Sequence, residues 1–170
     1  MRNQENFFLS PNGEIPNNQQ LPVIIYRNLF NKFLPHKAEN FARVFRANGW
    51  RGTWRDSIYT YCHFHSNAHE VLGIARGTVA VELGGVGGRA LRLKAGDLLI
   101  LPAGVGHRRV RGSSNLIVVG AYPAGQQKYN ICKGLRDYHS AKKKIATVAL
   151  PESDPFFGPY GPLKKLWRKG

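Results

Sequence analysis

The sequence contains few cysteines. Only Cys62 and Cys132 occur in 170 residues, and no CxxC pair is present. Disulfide-rich secreted domains and thiolate zinc sites both use more cysteines, at closer spacing. We therefore interpret both cysteines as free thiols and expect neither of those two classes.

The sequence also lacks a long hydrophobic stretch. No run of about 18 or more apolar residues exists, so a membrane-spanning helix is not expected. Near the N terminus the only apolar patch is FFL at residues 7–9, which is too short for the apolar region of a secretory signal. The expected location is the cytoplasm.

Acidic residues are scarce as well. The chain has 25 Lys and Arg against 10 Asp and Glu, a formal net charge of +15. Such a surface attracts anions, either nucleic acid or a phosphorylated or carboxylated small molecule. The basic residues are spread out, with one tight run at residues 142–144, and no helix-turn-helix, RRM or zinc-finger pattern accompanies them. We do not expect specific nucleic-acid binding, and we weigh an ordinary basic surface against a small anionic ligand.

What is present indicates a packed core, since hydrophobic residues make up 42% of the chain and aromatic residues 11%. Residues 1–22 are rich in Asn, Gln and Pro, which is typical of an extended arm, and a short β-like run follows at 21–26. Residues 28–48 show helical spacing that Pro35 divides into two helices, because proline breaks an interior helical hydrogen bond.

From Trp50 onward, short runs of alternating apolar and polar residues are separated by glycine-rich turns. Their spacing of roughly ten residues predicts an all-β sandwich or barrel. The predicted strands are 58–65, 78–83, 90–94, 98–101, 108–111 and 116–121.

The chain shows no internal repeat and no low-complexity linker, so we expect one domain. Residues 1–49 would be an N-terminal arm with helices that pack on the barrel. Residues 50–122 would form the barrel core, and residues 123–170 a C-terminal extension of the same domain.

The stretch YCHFHSNAHE, at residues 61–70, carries the strongest chemical signal. Side chains alternate along a strand, which places four of the predicted strand's side chains on one face: Tyr59, Tyr61, His63 and His65. Glu70 begins a return strand after a turn and can reach the same point. Two imidazoles and a carboxylate are thereby predicted to meet.

A fourth candidate ligand lies further along, in GDLLILPAGVGH at residues 96–107. A strand and a Pro-x-Gly turn precede His107, which enters the next strand. If that strand lies against the first hairpin, the set becomes three histidines and one glutamate. These donors suit Mn, Fe, Co, Ni, Cu or Zn and leave open positions for water or substrate.

The two stretches resemble the two motifs of the cupin superfamily. His63, His65, Glu70 and Gly77 match the spacing of the first motif, and GDLLILPAGVGH matches the second; 18 residues, 78–95, separate the motifs. The resemblance implies a double-stranded β-helix over residues 50–122 and a divalent transition metal held by His63, His65, Glu70 and His107. It also implies a homodimer.

Flanking segments extend the resemblance to the uncharacterised bacterial YjlB-like cupins. These segments are IPNN at residues 15–18 and DPFFGPYGPL at 154–163. Two positions depart from the general cupin motifs: Ser57 stands in place of a glycine and Arg111 in place of an asparagine. Neither is a ligand position.

Four more residues are candidates for contact with a substrate. Arg109 and Arg111 share the parity of His107, and a guanidinium binds a carboxylate or phosphate through two hydrogen bonds. Tyr59 and Tyr61 can line the cavity, with Tyr61 as an acid or hydrogen-bond donor. The alternatives are rim charges for the arginines and core packing for the tyrosines.

The predicted function is a metal-dependent enzyme of oxygenase or isomerase type that acts on a small molecule, for which the net charge favours an anion. The alternative is a non-catalytic cupin that binds a small ligand and keeps a structural or vestigial metal. Sequence-blind binding of nucleic acid through bulk charge is a third, weaker hypothesis.

Overall fold

The computed structural model describes residues 3–31 and 33–168. Within them the chain forms nine strands and three helices. The strands are β1 (Gln4–Phe7), β2 (Val23–Tyr26), β3 (Trp50–Asp56), β4 (Glu70–Arg76), β5 (Thr78–Leu83), β6 (Arg89–Lys94), β7 (Leu98–Leu101), β8 (His107–Gly112) and β9 (Ile117–Pro123). The helices are α1 (Lys37–Ala47), α2 (Leu135–Thr147) and α3 (Pro162–Leu166).

The strands form two antiparallel sheets. The larger sheet has the order β1-β2-β7-β4-β9-β3, and the smaller has the order β6-β5-β8. Apart from the consecutive pair β1 and β2, neighbouring strands in the larger sheet are not consecutive in sequence, as expected when hairpins wind around a common axis. The predicted all-β fold is confirmed. Strand β1 lies in the predicted N-terminal arm and β2 in the β-like run predicted at residues 21–26, and both join the larger sheet.

The central strands of the larger sheet, β2, β7, β4 and β9, are buried on both faces. Leu72 and Ile74 of β4 point toward the smaller sheet and join a core that lies between the two sheets. Val71 and Ala75, at the alternate positions, belong to a second core on the outer face. Burial on both faces explains the continuous apolar runs VIIY and LLIL in β2 and β7.

Helix α1 covers the outer face of the larger sheet. Phe41 and Phe45, one turn apart, are fully buried against it. Gly73 of β4 makes room for the first ring, since a Cβ on this glycine would lie 2.8 Å from Phe41. The C-terminal segment covers the same face, and the Trp167 indole donates a hydrogen bond to the carbonyl of Pro22 at 2.9 Å.

The helix predictions need two corrections. The described residues of 28–36 form no helix: Asn28 has a positive φ of 54° and the amide of Leu29 donates to the carbonyl of Gly96, so this segment is tied to the sheet instead. Helix α2 was not predicted, because it offers few apolar positions. Among its described side chains, Ala141 and Ile145 contact a core.

The turn between β4 and β5 requires glycine. Gly77 has a φ of 75°, and a Cβ there would lie 2.2 Å from the Ser113 hydroxyl oxygen. This turn passes the chain from the larger sheet to the smaller one. Among the described residues, no helix has both the length and the hydropathy to cross a membrane.

Candidate metal centre

The segment predicted as the strand 58–65 is not a regular strand. Two isolated bridges hold it, from His63 to His107 and from Phe64 to Cys132. Consecutive residues therefore bond to different neighbours, which prevents a continuous ladder.

The predicted alternation of side chains is nevertheless present in this segment. The ring centroids of Tyr59 and Tyr61 lie 4.8 Å apart, those of Tyr61 and His63 lie 5.4 Å apart, and those of His63 and His65 lie 5.5 Å apart. The four rings thus follow one another along one side of the chain.

Three imidazoles meet at the end of this row. His63, His65 and His107 each offer a ring nitrogen, and these atoms all lie within 4.8 Å of one another. The three side chains are 3%, 5% and 3% exposed. Reciprocal backbone hydrogen bonds of 3.2 and 2.9 Å join His63 to His107, so the first and second motifs meet directly.

Backbone carbonyls orient all three rings. The Nδ1 atoms of His63, His65 and His107 lie 3.2, 2.5 and 3.0 Å from carbonyl oxygens. An Nδ1–H that donates to a carbonyl leaves Nε2 with a free lone pair, which is the arrangement that metal-binding histidines use. The acceptors are the carbonyls of Tyr61, Asn130 and Val105.

Glu70 completes the set from the inner face of β4. Its Oε2 lies 3.4 Å from Nε2 of His65 and 3.3 Å from Nε2 of His107. This oxygen is buried and accepts no hydrogen bond from the described residues. Lone pairs on imidazole nitrogens and a carboxylate oxygen repel one another unless a metal ion or a proton lies between them. The donor set therefore fits a divalent transition metal.

The electrostatics favour the deprotonated forms of His63 and Glu70. Burial, reinforced by the neighbouring His107, lowers the pKa of His63 to about 3. Burial alone would raise the pKa of Glu70, but His65 and His107 hold it well below its usual range. Burial also acts to lower the pKa of His65, yet Glu70 and the Asn130 carbonyl raise it above its ordinary value. A metal binds the deprotonated ligands and would displace the proton that Glu70 favours on His65.

The second oxygen of Glu70 is held by a chain of two hydrogen bonds. The hydroxyl of Tyr122 donates to Oε1 of Glu70 at 2.8 Å, and the indole N–H of Trp54 donates to that hydroxyl at 3.0 Å. Gly120 lies under the indole, and a Cβ there would lie 2.0 Å from Trp54. Glycine at this position lets the indole lie across β9.

Two tyrosines form one wall of the site. Tyr129 stacks on Tyr122 with centroids 4.3 Å apart and meets His65 edge-on at 4.9 Å. Neither tyrosine was predicted from the sequence as a residue of the site. The alternation of VVGAY in β9 places Val118, Gly120 and Tyr122 on the inner face and could have identified Tyr122. Tyr129 lies in an irregular loop, where no periodic pattern indicates which side chains point toward the site.

The four candidate metal ligands line one part of a cavity of about 220 Å³. Its walls are largely aromatic, and the segment 55–58 forms its rim. Besides the four candidate ligands, its lining includes Trp54, Tyr59, Leu72, Tyr122 and Tyr129.

The two tyrosines predicted from the sequence differ in position. Tyr59 lines the cavity and is 49% exposed at its mouth. Of the residues that the structure describes, Tyr61 is not among those lining the cavity. Its ring stacks on Tyr59, with the ammonium of Lys133 4.0 Å from its centroid. The position of Tyr61 therefore does not favour the predicted role as acid or donor.

Neither predicted arginine is among the described residues that line this cavity. Arg109 pairs with Val81, an inward position, and its buried Nε–H donates to no acceptor among the described groups. A β-bulge in β8, opposite the step from Val81 to Ala80 of β5, then shifts the register. As a result, Arg111 pairs with Ala80 on the outward face. The parity assumed for Arg111 is wrong because the bulge adds a residue to β8.

Comparison with known proteins gives one full-length relative. The chain is 36% identical over 170 residues to the uncharacterized protein YjlB of Bacillus subtilis strain 168, and the match covers 99% of each chain. No protein-family model matches the chain.

Solved structures give weaker likenesses. An acireductone dioxygenase from Bacillus anthracis, with a cadmium ion in its active centre, is 18% identical over 61% of this chain and 79% of its own, with a TM-score of 0.45. The epimerase RmlC from Legionella pneumophila is 12% identical over 71% and 72%, with a TM-score of 0.39. Scores below 0.5 carry no argument about function.

The full-length match to YjlB agrees with the flanking segments at residues 15–18 and 154–163. Between those segments, the two cupin motifs meet at one buried site. The chain therefore belongs to the same family as YjlB.

Proposed function

We propose that this protein is a metal-dependent enzyme of oxygenase or isomerase type that acts on a small molecule in the cavity beside the histidines. One observation carries the proposal. Three imidazoles, each oriented through Nδ1, and the Oε2 of a buried glutamate converge at the end of that cavity.

His63, His65, Glu70 and His107 would hold a divalent transition metal from the group Mn, Fe, Co, Ni, Cu and Zn. Such a metal supplies Lewis-acid or redox chemistry when it is bound. The chain provides the surroundings. Tyr122 fixes one oxygen of Glu70, which leaves the other for the metal.

The cavity limits the size and kind of substrate. Its volume of about 220 Å³ is below the range of roughly 300–1,000 Å³ typical of drug-sized ligands. Trp54, Tyr122 and Tyr129 offer flat apolar surfaces, which suit a small planar molecule. At the rim, Arg55 is already paired with Glu39 at 2.7 Å. An anionic substrate is therefore less favoured here than the net charge suggested.

Metal analysis of the purified protein tests the site. We expect one equivalent of a transition metal per chain, and less than about a tenth of that in His63→Ala and His107→Ala. His139→Ala removes an exposed histidine of α2 and serves as the matched control. Full metal content in both site variants would refute the assignment.

Turnover separates an enzyme from a binding protein. We would screen small planar compounds against protein loaded with each metal, in air and without oxygen. Oxygen consumption that requires His107 indicates an oxygenase, and conversion that is independent of oxygen indicates an isomerase. Ligand binding without conversion under every metal would favour the non-catalytic alternative.

The cellular location and the oligomeric state of the protein are also matters of proposal. We propose a cytoplasmic homodimer, on the grounds of the sequence composition and the cupin resemblance. Light scattering on purified protein would give twice the 19.0 kDa chain mass for a dimer. A mass of one chain at micromolar concentration would contradict it.

A further inference from the structure

A second and larger cleft lies beside the smaller sheet. Its volume is about 750 Å³, and no metal-site residue lines it among those described. Thr78 and Ala80 of β5 form part of its floor, and Arg27 and Asn28, at the end of β2, form one side. Four cationic side chains line it: Arg27, Arg92, Lys94 and Arg111.

The strand register places three of these cations on one sheet face. Ala80 pairs with Arg92 on one side and with Arg111 on the other, and Thr78 pairs with Lys94 in the next row. Two strand spacings put the backbones of the two arginines about 10 Å apart. Both side chains are exposed above a small alanine, so they can converge on a ligand above it.

The acidic side chain among the described residues that line this cleft, Asp97, already has hydrogen-bond partners. Asp97 is buried, and its carboxylate accepts hydrogen bonds from Arg27 and from the backbone amides of Asn28 and Lys94, at 3.0–3.1 Å. Arg27 is thereby fixed as part of the wall. It also donates to the carbonyl of Arg92 at 2.7 Å, which ties the end of β2 to β6.

The remaining three cationic side chains have no acidic partner among the described residues. Across the described part of the chain, no ion pair involves Arg92, Lys94 or Arg111. By contrast, further along the same sheet Glu82 pairs with Arg108 at 2.6 Å. Like charges on one sheet face destabilise it, and a bound anion would relieve that repulsion.

We infer that this cleft binds a small anion with two or more negative charges, of the phosphate or carboxylate class. The bulge in β8 turns Arg111 toward this cleft and away from the metal centre. The two guanidinium groups can each bind an oxyanion through paired hydrogen bonds, and Lys94 adds a third charge.

The shape of the cleft favours a small anion over nucleic acid. The uncompensated cations lie within one concave cleft and on two strands, β6 and β8. A nucleic-acid surface needs a longer basic track with aromatic side chains for stacking. Among the described residues that line the cleft, none is aromatic.

Isothermal titration calorimetry with inorganic pyrophosphate, and separately with citrate, tests the inference at low ionic strength. We expect saturable binding of at least one of the two, and the better ligand identifies the class. The double variant Arg92→Gln/Arg111→Gln should weaken that binding by about tenfold or more. Both residues are exposed, so the variant is expected to fold.

Two controls make the result specific. Lys143→Gln/Lys144→Gln removes the same charge from α2 and should change the affinity by less than about twofold. His107→Ala should retain anion binding, which separates this cleft from the metal centre. The inference is overturned if neither anion binds, if His107→Ala abolishes binding, or if the two double variants weaken it equally. Binding of a single-stranded oligonucleotide without binding of either small anion would also overturn it.

Discussion

At the scale of single residues, the direction of the hydrogen bond at Nδ1 distinguishes a candidate metal site from a chance group of histidines. His69 illustrates the contrast, although it lies directly before Glu70. Its Nδ1 accepts a hydrogen bond from the amide of Ala103 at 2.9 Å, and its ring packs 4.7 Å from Trp167. A ring nitrogen that accepts from the backbone marks a packed histidine, whereas His63 and His107 are oriented through carbonyls and present Nε2 to the site.

Replacing Tyr122 by phenylalanine tests how the second oxygen of Glu70 is held. Loss of the hydroxyl frees Oε1 and leaves the Trp54 N–H without its acceptor. We expect metal affinity to fall by roughly 10–100-fold, as is typical when a group that orients a metal ligand is removed. Competition with a chromophoric chelator measures the affinity. Tyr160→Phe, at a site 92% exposed, is the control, and equal affinities for both variants would contradict this role of Tyr122.

The depressed pKa of His63 predicts an acid-sensitive stability. Its pKa of about 3 in the folded state lies below the unfolded value of roughly 6.5. Between those values the unfolded chain binds a proton at this residue and the folded chain does not, so stability falls as the pH falls. In metal-free protein the slope of unfolding free energy against pH should be less steep in His63→Gln, by up to about 1.4 kcal/mol per pH unit. Identical slopes from urea unfolding between pH 6 and 4 would contradict this.

At the scale of elements, β9 connects the site to the larger sheet. Gly120 pairs with Leu72 of β4 while the Trp54 indole from β3 covers it. Three strands therefore share one contact, which also orients Tyr122. The packing of these strands thereby helps to position Glu70, one of the candidate metal ligands.

A double-mutant cycle tests this contact. Gly120→Ala should destabilise the protein by about 1–3 kcal/mol, because the new methyl group displaces the indole. In a Trp54→Ala background the same substitution should cost almost nothing, since the space is then open. Urea unfolding of the four proteins gives the coupling energy, and a coupling near zero would show that the indole does not lie over Gly120.

The elements also show what can be predicted from the sequence and what cannot. Side-chain alternation is a local property, and it predicted that His63 and His65 lie on one side of the chain with Glu70 within reach. That His107 joins them was expected only from the resemblance to the two cupin motifs, because the bridge from His63 to His107 joins distant segments. The orientation of Arg111 could not be predicted in this way. It depends on a bulge in the pairing of β8 with β5, and that pairing joins residues about thirty positions apart.

At the scale of the whole molecule, the fold separates two chemical surfaces. The metal centre opens into an aromatic cavity between the sheets, and the basic cleft lies beside the smaller sheet. The composition predicted a positive surface but could not show that Arg109 and Arg111 lie outside the described lining of that cavity. Loop residues such as Tyr129 and Asn130 were missed for a related reason, since their contacts depend on tertiary structure alone.

Metal loading should stabilise the whole chain. A ligand that binds only the folded state adds about 2.7 kcal/mol at a concentration of 100 times its Kd. Removal of metal by a chelator should therefore lower the Tm by several degrees, and metal should restore it. His107→Ala should show no such shift, while His139→Ala should behave as the wild type. An equal shift in His107→Ala would place the metal elsewhere.

A crystal structure of the metal-loaded protein, with anomalous data collected at the metal's absorption edge, tests the central claim most directly. The account predicts one anomalous peak per chain, about 2.0–2.2 Å from Nε2 of His63, His65 and His107 and from Oε2 of Glu70. An anomalous peak bound to other residues, or no peak at these four atoms in protein shown to contain metal, would contradict it.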